Sequence, residues 1–303
     1  FASQNKYTKY ATKIINIIIG ILLFVSIGVN IYFVATDNNY DPMVQYLQEP
    51  YQLKVVYSGI LKNHEQLREG EDFSIVYDFE NEDYEVLLEE YNLAEIAGDG
   101  SESEKAIRLM NEYAPRLNHH SNFDNSVELK ALSLLEYSLD NPKQGINCRC
   151  KAQILNEMLL ASDIYARKLW IMPASVYDGE CHVVNEVWDS KLNKWVMVDI
   201  SNNIYWVDRE GTPLSVLEIR QLAANQEFCT PVYPDDDYSD LEKSLNNNFG
   251  LYLYYMKNLV YTVYCDTMTV GESEGVYYLL PENIAVEEEM RLISESAVGR
   301  APK

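Results

Sequence analysis

The stretch "CHVVNEVWDSKLNKWVMVD", residues 181–199, has the pattern of a β-hairpin. Its two arms are rich in valine and tryptophan with period-two alternation, and the polar segment "DSKLN" between them is typical of a turn. If the arms pair across a four-residue loop at 189–192, His182 lies directly opposite Asp199. Opposed residues point to the same side of a sheet, with Cβ atoms about 5 Å apart. The hairpin therefore predicts a carboxylate beside an imidazole.

A helix is predicted upstream of the hairpin, in "NCRCKAQILNEMLLA", residues 147–161. Its apolar face repeats at helical spacing through Cys148, Ala152, Leu155 and Leu159. The helix begins near Asn147 or Cys148, so Cys148 lies where unsatisfied backbone N–H groups favour an anion. A neighbouring imidazolium has the same effect, and together they lower a thiol pKa from about 8.5 towards neutrality or below.

Cysteine, histidine and aspartate in this order have the composition of a catalytic triad. A carboxylate beside a histidine fixes the tautomer of the ring and supports its cationic form. A thiolate paired with that imidazolium is an activated nucleophile for acyl transfer. Cys148, His182 and Asp199 are therefore the candidate catalytic residues. This chemistry requires no cofactor and no metal ion.

The same segments resemble the transglutaminase-like cysteine superfamily. The family pattern is matched in three places. At the start of the cysteine helix the matching residues are Cys148, Arg149 and Ala152. On the histidine strand they are His182, Glu186 and Trp188, and on the aspartate strand Trp195, Val198 and Asp199. The resemblance covers roughly residues 78–225. It implies an α+β fold with a papain-like core, in which the cysteine-bearing helix packs on an antiparallel β-sheet.

The resemblance also implies the role of each residue. Cys148 would be the nucleophile, His182 the general base and acid, and Asp199 the residue that orients the histidine. The sequence departs from the family pattern at Cys150, Asp163 and Ile200, and none of these departures removes a triad member. The backbone N–H of Cys148 is the only oxyanion donor that the sequence identifies. His64, His119 and His120 receive no role.

Other interpretations of the cysteines remain open. Cys148, Cys150, Cys181 and His182 could be zinc ligands, but neighbours on a strand point to opposite faces and do not converge easily. Cys148 and Cys150 could form a redox pair, although positions i and i+2 of a helix do not face each other. Cys148 and His182 could also be ordinary core residues. We expect Cys150 to be a passive neighbour, and Cys181, Cys229 and Cys265 to be packing residues.

The charge of the chain restricts its partners. Its 303 residues carry a formal net charge of −23. Binding to nucleic acid or to an anionic lipid surface needs cations, so no nucleic-acid partner is expected.

Residues 14–35 contain no charged side chain. At about 1.5 Å per residue such a helix covers the roughly 30 Å hydrocarbon core of a bilayer. Lysines precede the run and aspartates follow it, which predicts a single-pass anchor with the body of the protein outside the cell. A buried core helix and a cleaved signal peptide are the alternatives, and no small-x-small cleavage site precedes "TDNN".

Several further elements are predicted along the chain. "YQLKVVYSGIL", residues 51–61, is a possible strand, and "SESE", residues 101–104, is a capping box that begins a helix ending at Pro115. A second helix spans roughly 126–139. The acidic residues between 78 and 104 are interpreted as a solvated face rather than a calcium site. Two later segments have a strand-like composition, "YTVYCDTM" at 261–268 and "GVYYLLP" at 275–281.

These patterns predict a chain of five parts. They are a cytosolic tail (1–13), a transmembrane anchor (14–35), a juxtamembrane spacer (36–77), a transglutaminase-like domain (78–225) and a C-terminal extension packed on the core (226–303). Two functions fit this organisation. The first is a membrane-anchored thiol hydrolase or acyltransferase acting on peptide or side-chain amides outside the cell. The second is a non-catalytic, membrane-tethered interaction module with the same fold.

Overall fold

The computed structural model describes residues 13–27, 50–141, 143–175, 178–236, 239–271 and 275–303. The chain divides into two compact units, Phe1–Gln52 and Leu53–Lys303.

In the first unit, residues 13–27 are helical and exposed. Among the described residues, no helix combines the length and the hydropathy needed to cross a bilayer. The predicted anchor at 14–35 extends beyond residue 27 and so lies partly outside the described residues. Residues 1–12 of the predicted tail and 36–49 of the predicted spacer also lie outside the described residues.

The second unit is built on a seven-stranded antiparallel sheet. Its strands in spatial order are β6 (Thr230–Val232), β5 (Ile204–Val207), β4 (Lys194–Asp199), β3 (His182–Asp189), β2 (Ala166–Met172), β7 (Tyr261–Cys265) and β9 (Val276–Leu279). A separate parallel pair joins β1 (Val76–Tyr77) to β8 (Thr267–Met268).

Among the described residues from 50 onward, ten α-helices accompany these strands. They are α1 (Pro50–Asn63), α2 (Glu82–Glu90), α3 (Leu93–Ala97), α4 (Glu102–Tyr113), α5 (Ala131–Asp140), α6 (Cys148–Ala161), α7 (Val216–Ala224), α8 (Leu241–Asn247), α9 (Phe249–Asn258) and α10 (Glu295–Val298). A short 3₁₀ turn, Ala114–Arg116, follows α4.

The cysteine-bearing helix α6 begins at Cys148, as the sequence predicts. The side chain of Asn147 caps it by accepting a hydrogen bond from the backbone N–H of Cys150 at 3.1 Å. The helix packs on the sheet, where Asn185 of β3 donates its side-chain amide to the carbonyl of Ala152 at 3.0 Å. The prediction of a mixed fold with this helix on an antiparallel sheet is confirmed.

The sheet separates two hydrophobic cores. Val187 of β3 packs with helices α2 to α6 in one core. Val184 packs with α7 and α9 in the other. This division follows from strand geometry, because successive side chains alternate between the faces. His182, two residues before Val184, therefore begins β3 on the face that α7 and α9 cover.

The predicted hairpin is confirmed, but its predicted register is wrong by two residues. Asp189 pairs with Lys194, so the loop is 190–193 instead of 189–192. Asp189 stays in the strand because its carboxylate accepts hydrogen bonds from Ser103 and from the backbone of Leu192. A shift of two residues preserves the face on which each side chain lies. His182 and Asp199 thus share a face as diagonal neighbours rather than as directly opposed residues.

Three other predictions concern elements outside the hairpin. The possible strand at 51–61 is wrong, because this segment is helix α1, in which Tyr57 and Leu61 face the core at helical spacing. The helix predicted at 126–139 begins later, at Ala131. The helix after the capping box is confirmed, with Ser101 as its N-cap.

The compact unit is larger than the predicted domain at 78–225. Leu61 and Phe73, from the predicted spacer, are buried in one core with Tyr264 and Leu279 from the predicted extension. Strand β7 from that extension pairs directly with β2.

Candidate active site

His182 and Asp199 form a buried pair at one end of the hairpin. The imidazole Nε2 lies 2.8 Å from Oδ2 of Asp199, and both side chains are almost completely buried. His182 is the first residue of β3 and Asp199 the last residue of β4, so the antiparallel pairing brings them together. Since Nε2 is engaged by Asp199, Nδ1 is the ring nitrogen left for a third group.

The Asp199 carboxylate accepts hydrogen bonds from several donors. Oδ1 accepts the backbone N–H of Ser201 at 2.8 Å. Oδ2 accepts the side-chain amide of Asn202 at 2.6 Å and the hydroxyl of Tyr255, in addition to His182. Burial opposes ionisation of Asp199, but the charge and hydrogen bond of His182 and the other donors outweigh it and lower the pKa of the carboxyl. Asp199 is therefore held as an oriented carboxylate.

Cys148 lies at the N-terminus of α6 and interacts with His182. Burial opposes the thiolate, but a hydrogen bond to His182, the histidine charge and the backbone N–H of Val183 outweigh it and lower the pKa of Cys148. Burial also opposes the imidazolium, whereas Asp199 and Cys148 favour it and raise the pKa of His182 to about 10. The arrangement therefore favours a thiolate–imidazolium pair supported by a carboxylate.

The remaining cysteines lie in other environments. Cys150, Cys229 and Cys265 are buried, and burial raises the pKa of Cys150 to about 11. Cys181 is exposed, so its predicted role in packing is wrong. It precedes β3, outside both cores. Cys148 and Cys150 form no disulfide, and within the described ranges no group of three or more His, Cys, Asp or Glu side chains is placed to hold a metal ion.

A cavity of about 330 Å³ opens beside the imidazole. Its walls are His119, His182, Ser201, Asn202, Leu251 and Tyr254. The cavity borders the histidine ring and is lined by two further side chains to which the sequence assigns no role, His119 and Tyr254.

His119 reaches this cavity because its backbone pairs with the segment before Cys148. It forms a β-bridge with Ile146, and the N–H of Ile146 donates to the carbonyl of Asn118 at 3.1 Å. Gly145 allows this close approach, because a Cβ there would lie 2.7 Å from the backbone of His119. A glycine shortly before the helix start is a local sequence signal for a close backbone approach. The segment that approaches, residues 118–120, is not recognisable from the sequence.

Helix α9 supplies the aromatic wall of the site. The rings of Tyr254 and Tyr255 meet the His182 ring edge-on, with centroids 5.7 and 5.8 Å away. Both tyrosines come from the predicted C-terminal extension, in which the sequence offers no catalytic motif. They therefore belong to the site through the tertiary fold alone.

Comparisons with known proteins give weak matches. The sequence matches no protein family model and no curated protein. One similar solved structure is "a Putative Cysteine Protease" from Cytophaga hutchinsonii, with 14% identity and a TM-score of 0.31, covering 52% of this chain and 54% of the other. Another is "a putative protease" from Parabacteroides distasonis, with 14% identity and a TM-score of 0.28, covering 54% of this chain and 30% of the other. A likeness at this level establishes neither a shared fold nor a shared function.

Proposed function

We propose that this protein is a thiol enzyme that hydrolyses or transfers the acyl group of peptide or side-chain amides. Cys148 is the nucleophile, His182 the general base and acid, and Asp199 the residue that orients His182. The observation that carries the proposal is the buried pair of His182 and Asp199, with Nε2 2.8 Å from Oδ2, together with the position of Cys148 at the N-terminus of α6, where His182 lowers the pKa of the thiol.

The proposed reaction follows from this geometry. The Cys148 thiolate attacks the amide carbonyl, and the backbone N–H of Cys148 at the helix N-terminus donates to the oxyanion that forms. The imidazolium gives its proton to the departing amine nitrogen, which leaves a thioester on Cys148 and a neutral His182. His182 then takes a proton from water or from an acceptor amine, which attacks the thioester and releases the thiolate.

We further propose that the chain is a membrane-anchored member of the transglutaminase-like cysteine superfamily with a papain-like core. The order Cys148, His182, Asp199 and the helix packed on the sheet support the superfamily assignment.

The uncharged run at 14–35, with lysines before it, supports an anchor with the body outside the cell. Protease added to intact cells should then digest the body, and protection of the body would contradict this orientation.

Activity profiling with a peptide-based thiol probe tests the enzymatic proposal. The wild-type protein should be labelled at Cys148, and Cys148→Ala should lose both labelling and amide turnover. Cys181→Ala is the matched control, because it removes a thiol that is exposed but lies outside the triad. Labelled Cys148 without turnover of any captured peptide would favour a binding module with the same fold.

The role of Asp199 is tested by Asp199→Asn. The amide keeps the shape of the side chain but removes the charge that supports the imidazolium. In serine triads the equivalent change costs about 10⁴-fold in turnover, which sets the expected order. Turnover within a few-fold of wild type would exclude Asp199 from the mechanism.

A further inference from the structure

Lys151 is a buried lysine close to the nucleophile. It is only 2% exposed and lies three positions after Cys148 in α6. Residues three apart share a helix face, and helical side chains lean towards the N-terminus. The Lys151 side chain therefore extends back towards the turn that carries Cys148.

The charge of Lys151 interacts with the groups of the site. Burial lowers the pKa of Lys151, whereas Asp199 and Cys148 favour its charged form. Lys151 in turn disfavours protonation of His119. Across the described ranges, its ammonium makes no hydrogen bond and no ion pair. An ammonium with so little access to water is costly, and an anion placed beside it would offset that cost.

The neighbouring cavity is also suited to an anion. None of the six side chains that line it is a carboxylate, although the chain carries a net charge of −23. The acidic residues just before β3, Asp178 and Glu180, both form ion pairs with Lys257, at 2.9 and 2.6 Å, so this lysine offsets part of their charge. A negatively charged ligand in the cavity would therefore meet two histidines and the field of Lys151 without a facing carboxylate on the cavity wall.

We propose that Lys151 makes this site selective for substrates that carry a carboxylate next to the amide that reacts. The proposal rests on the proposed function, since it names the substrate class of the same site. The carboxylate is the side chain of an aspartate or glutamate beside the amide, or the free C-terminus of a peptide. Lys151 acts through its charge, which draws the carboxylate towards Cys148.

Two alkylating reagents test the local charge without requiring turnover. Iodoacetate and iodoacetamide both alkylate a thiolate with loss of iodide. The first adds a carboxymethyl group and the second a carbamidomethyl group, and the reagents differ chiefly in the negative charge of iodoacetate. The ratio of their rates cancels the thiolate fraction. Site-resolved mass spectrometry gives this ratio at Cys148 and, as an internal reference, at exposed Cys181. We expect the ratio to be higher at Cys148.

Lys151→Met replaces the ammonium with a neutral side chain of similar length. It should lower the ratio at Cys148 roughly fivefold, the scale of one unit charge a few ångströms away in a water-like medium. An unchanged ratio would overturn the proposal. If Lys151→Met does not fold, Lys151→Gln replaces it with the same expected fall in the ratio, and equal ratios at Cys148 and Cys181 in His182→Ala would also overturn the proposal.

Matched peptides test the substrate class. Pairs that differ only as Asp against Asn, Glu against Gln, or free acid against amide at the C-terminus distinguish the sources of the carboxylate. The wild type should favour the acidic member of at least one pair in kcat/KM, and Lys151→Met should remove that preference. Equal turnover of all pairs by the wild type would overturn the substrate class. If no peptide is turned over, the proposed function fails, while the alkylation ratio still decides whether Lys151 selects anions.

Discussion

At the scale of single residues, the two cysteines at the start of α6 lie in contrasting environments. Cys148 and Cys150 are separated by one residue, but positions i and i+2 of a helix face different directions. Cys148 meets His182, whereas Cys150 is 1% exposed and packs in the core beside the helices. The pair therefore provides a reactive thiol and a matched control on the same turn.

Alkylation with iodoacetamide should separate these two thiols by pH. The lowered pKa of Cys148 leaves more thiolate at a given pH below 9, so its rate should level off at a lower pH than that of an ordinary thiol. His182→Ala should move this profile to higher pH, because the paired cation is lost. Cys150 should stay unreactive, since its pKa is raised to about 11. A Cys148 profile like that of a free cysteine, unchanged in His182→Ala, would contradict the ion pair.

Tyr255 helps to hold the Asp199 carboxylate of the candidate triad. Its hydroxyl donates to Oδ2 of Asp199, and removing a hydrogen bond to a charged group costs about 1.5–3 kcal/mol. Tyr255→Phe should lower the unfolding free energy by that order and reduce turnover. Tyr84→Phe is the matched control, because the Tyr84 hydroxyl is buried and has no hydrogen-bond partner among the described residues. Equal effects of the two substitutions in urea unfolding would show that Tyr255 has no special role.

At the scale of elements, local signals were sufficient where the chemistry is local. The Asn147 cap, the Ser101 capping box and the alternation of the hairpin depend on neighbouring residues, and the sequence predicts the type of each of these elements correctly. The parity of the hairpin also placed His182 and Asp199 on one face. Because a shift of two residues keeps each side chain on the same face, the predicted proximity of His182 and Asp199 holds although the predicted register is wrong by two residues.

Long-range contacts explain what the sequence did not predict. The register depends on Asp189, whose carboxylate is held by Ser103 on a separate helix. The predicted strand at 51–61 is helix α1 in the structure, although the valines of this segment favour strands. Its core-facing side packs on distant residues, as when Ser58 donates to the carbonyl of Ala223. Lys151 lies within the predicted motif, but its charge interacts with Asp199 on β4 and with His119 on a distant segment.

The approach of the His119 segment to the helix start depends on Gly145. A Cβ at this position would lie within 3 Å of the backbone of residues 118–120, which cannot move as a flexible side chain does. Gly145→Ala should therefore destabilise the protein by about 1–3 kcal/mol, the usual cost of overpacking. Gly59→Ala, in the exposed middle of α1 with no atom near its Cβ, should instead stabilise by about 0.5–1 kcal/mol. Chemical denaturation of both variants measures the difference, and a Gly145→Ala variant as stable as wild type would show that the segment can shift.

At the scale of the whole molecule, Glu157 couples stability to pH. This buried residue of α6 accepts hydrogen bonds from the backbone of Ala131 at 3.0 Å and Gly271 at 3.1 Å, so it joins three distant parts of the chain. Burial raises its pKa to about 7, against hydrogen bonds that favour the charged form. Because the folded-state pKa exceeds the unfolded value of about 4.3, the stabilisation is complete below that value and is lost as pH rises through 7.

Glu157→Gln should remove this dependence. The unfolding free energy of the wild type relative to the variant should fall between about pH 4 and 7, by an amount on the order of 3 kcal/mol, and stay level above. Taking the difference between the two proteins cancels the titration of His182 and Asp199, which both retain. Urea unfolding from pH 4 to 8 provides the measurement. A difference that does not vary with pH would mean that Glu157 titrates at its ordinary value.

The final prediction concerns how much chain the fold requires. Strand β7 lies beside β2 in the middle of the sheet, and Tyr255 of α9 holds Asp199, although both come from residues after 225. A chain of residues 78–225 would leave the edge of β2 unpaired and expose the core that α9 covers. It should show no cooperative urea transition by tryptophan fluorescence, whereas residues 50–303 should unfold cooperatively. Cooperative unfolding of 78–225 would show that the C-terminal region only decorates a domain that is already complete.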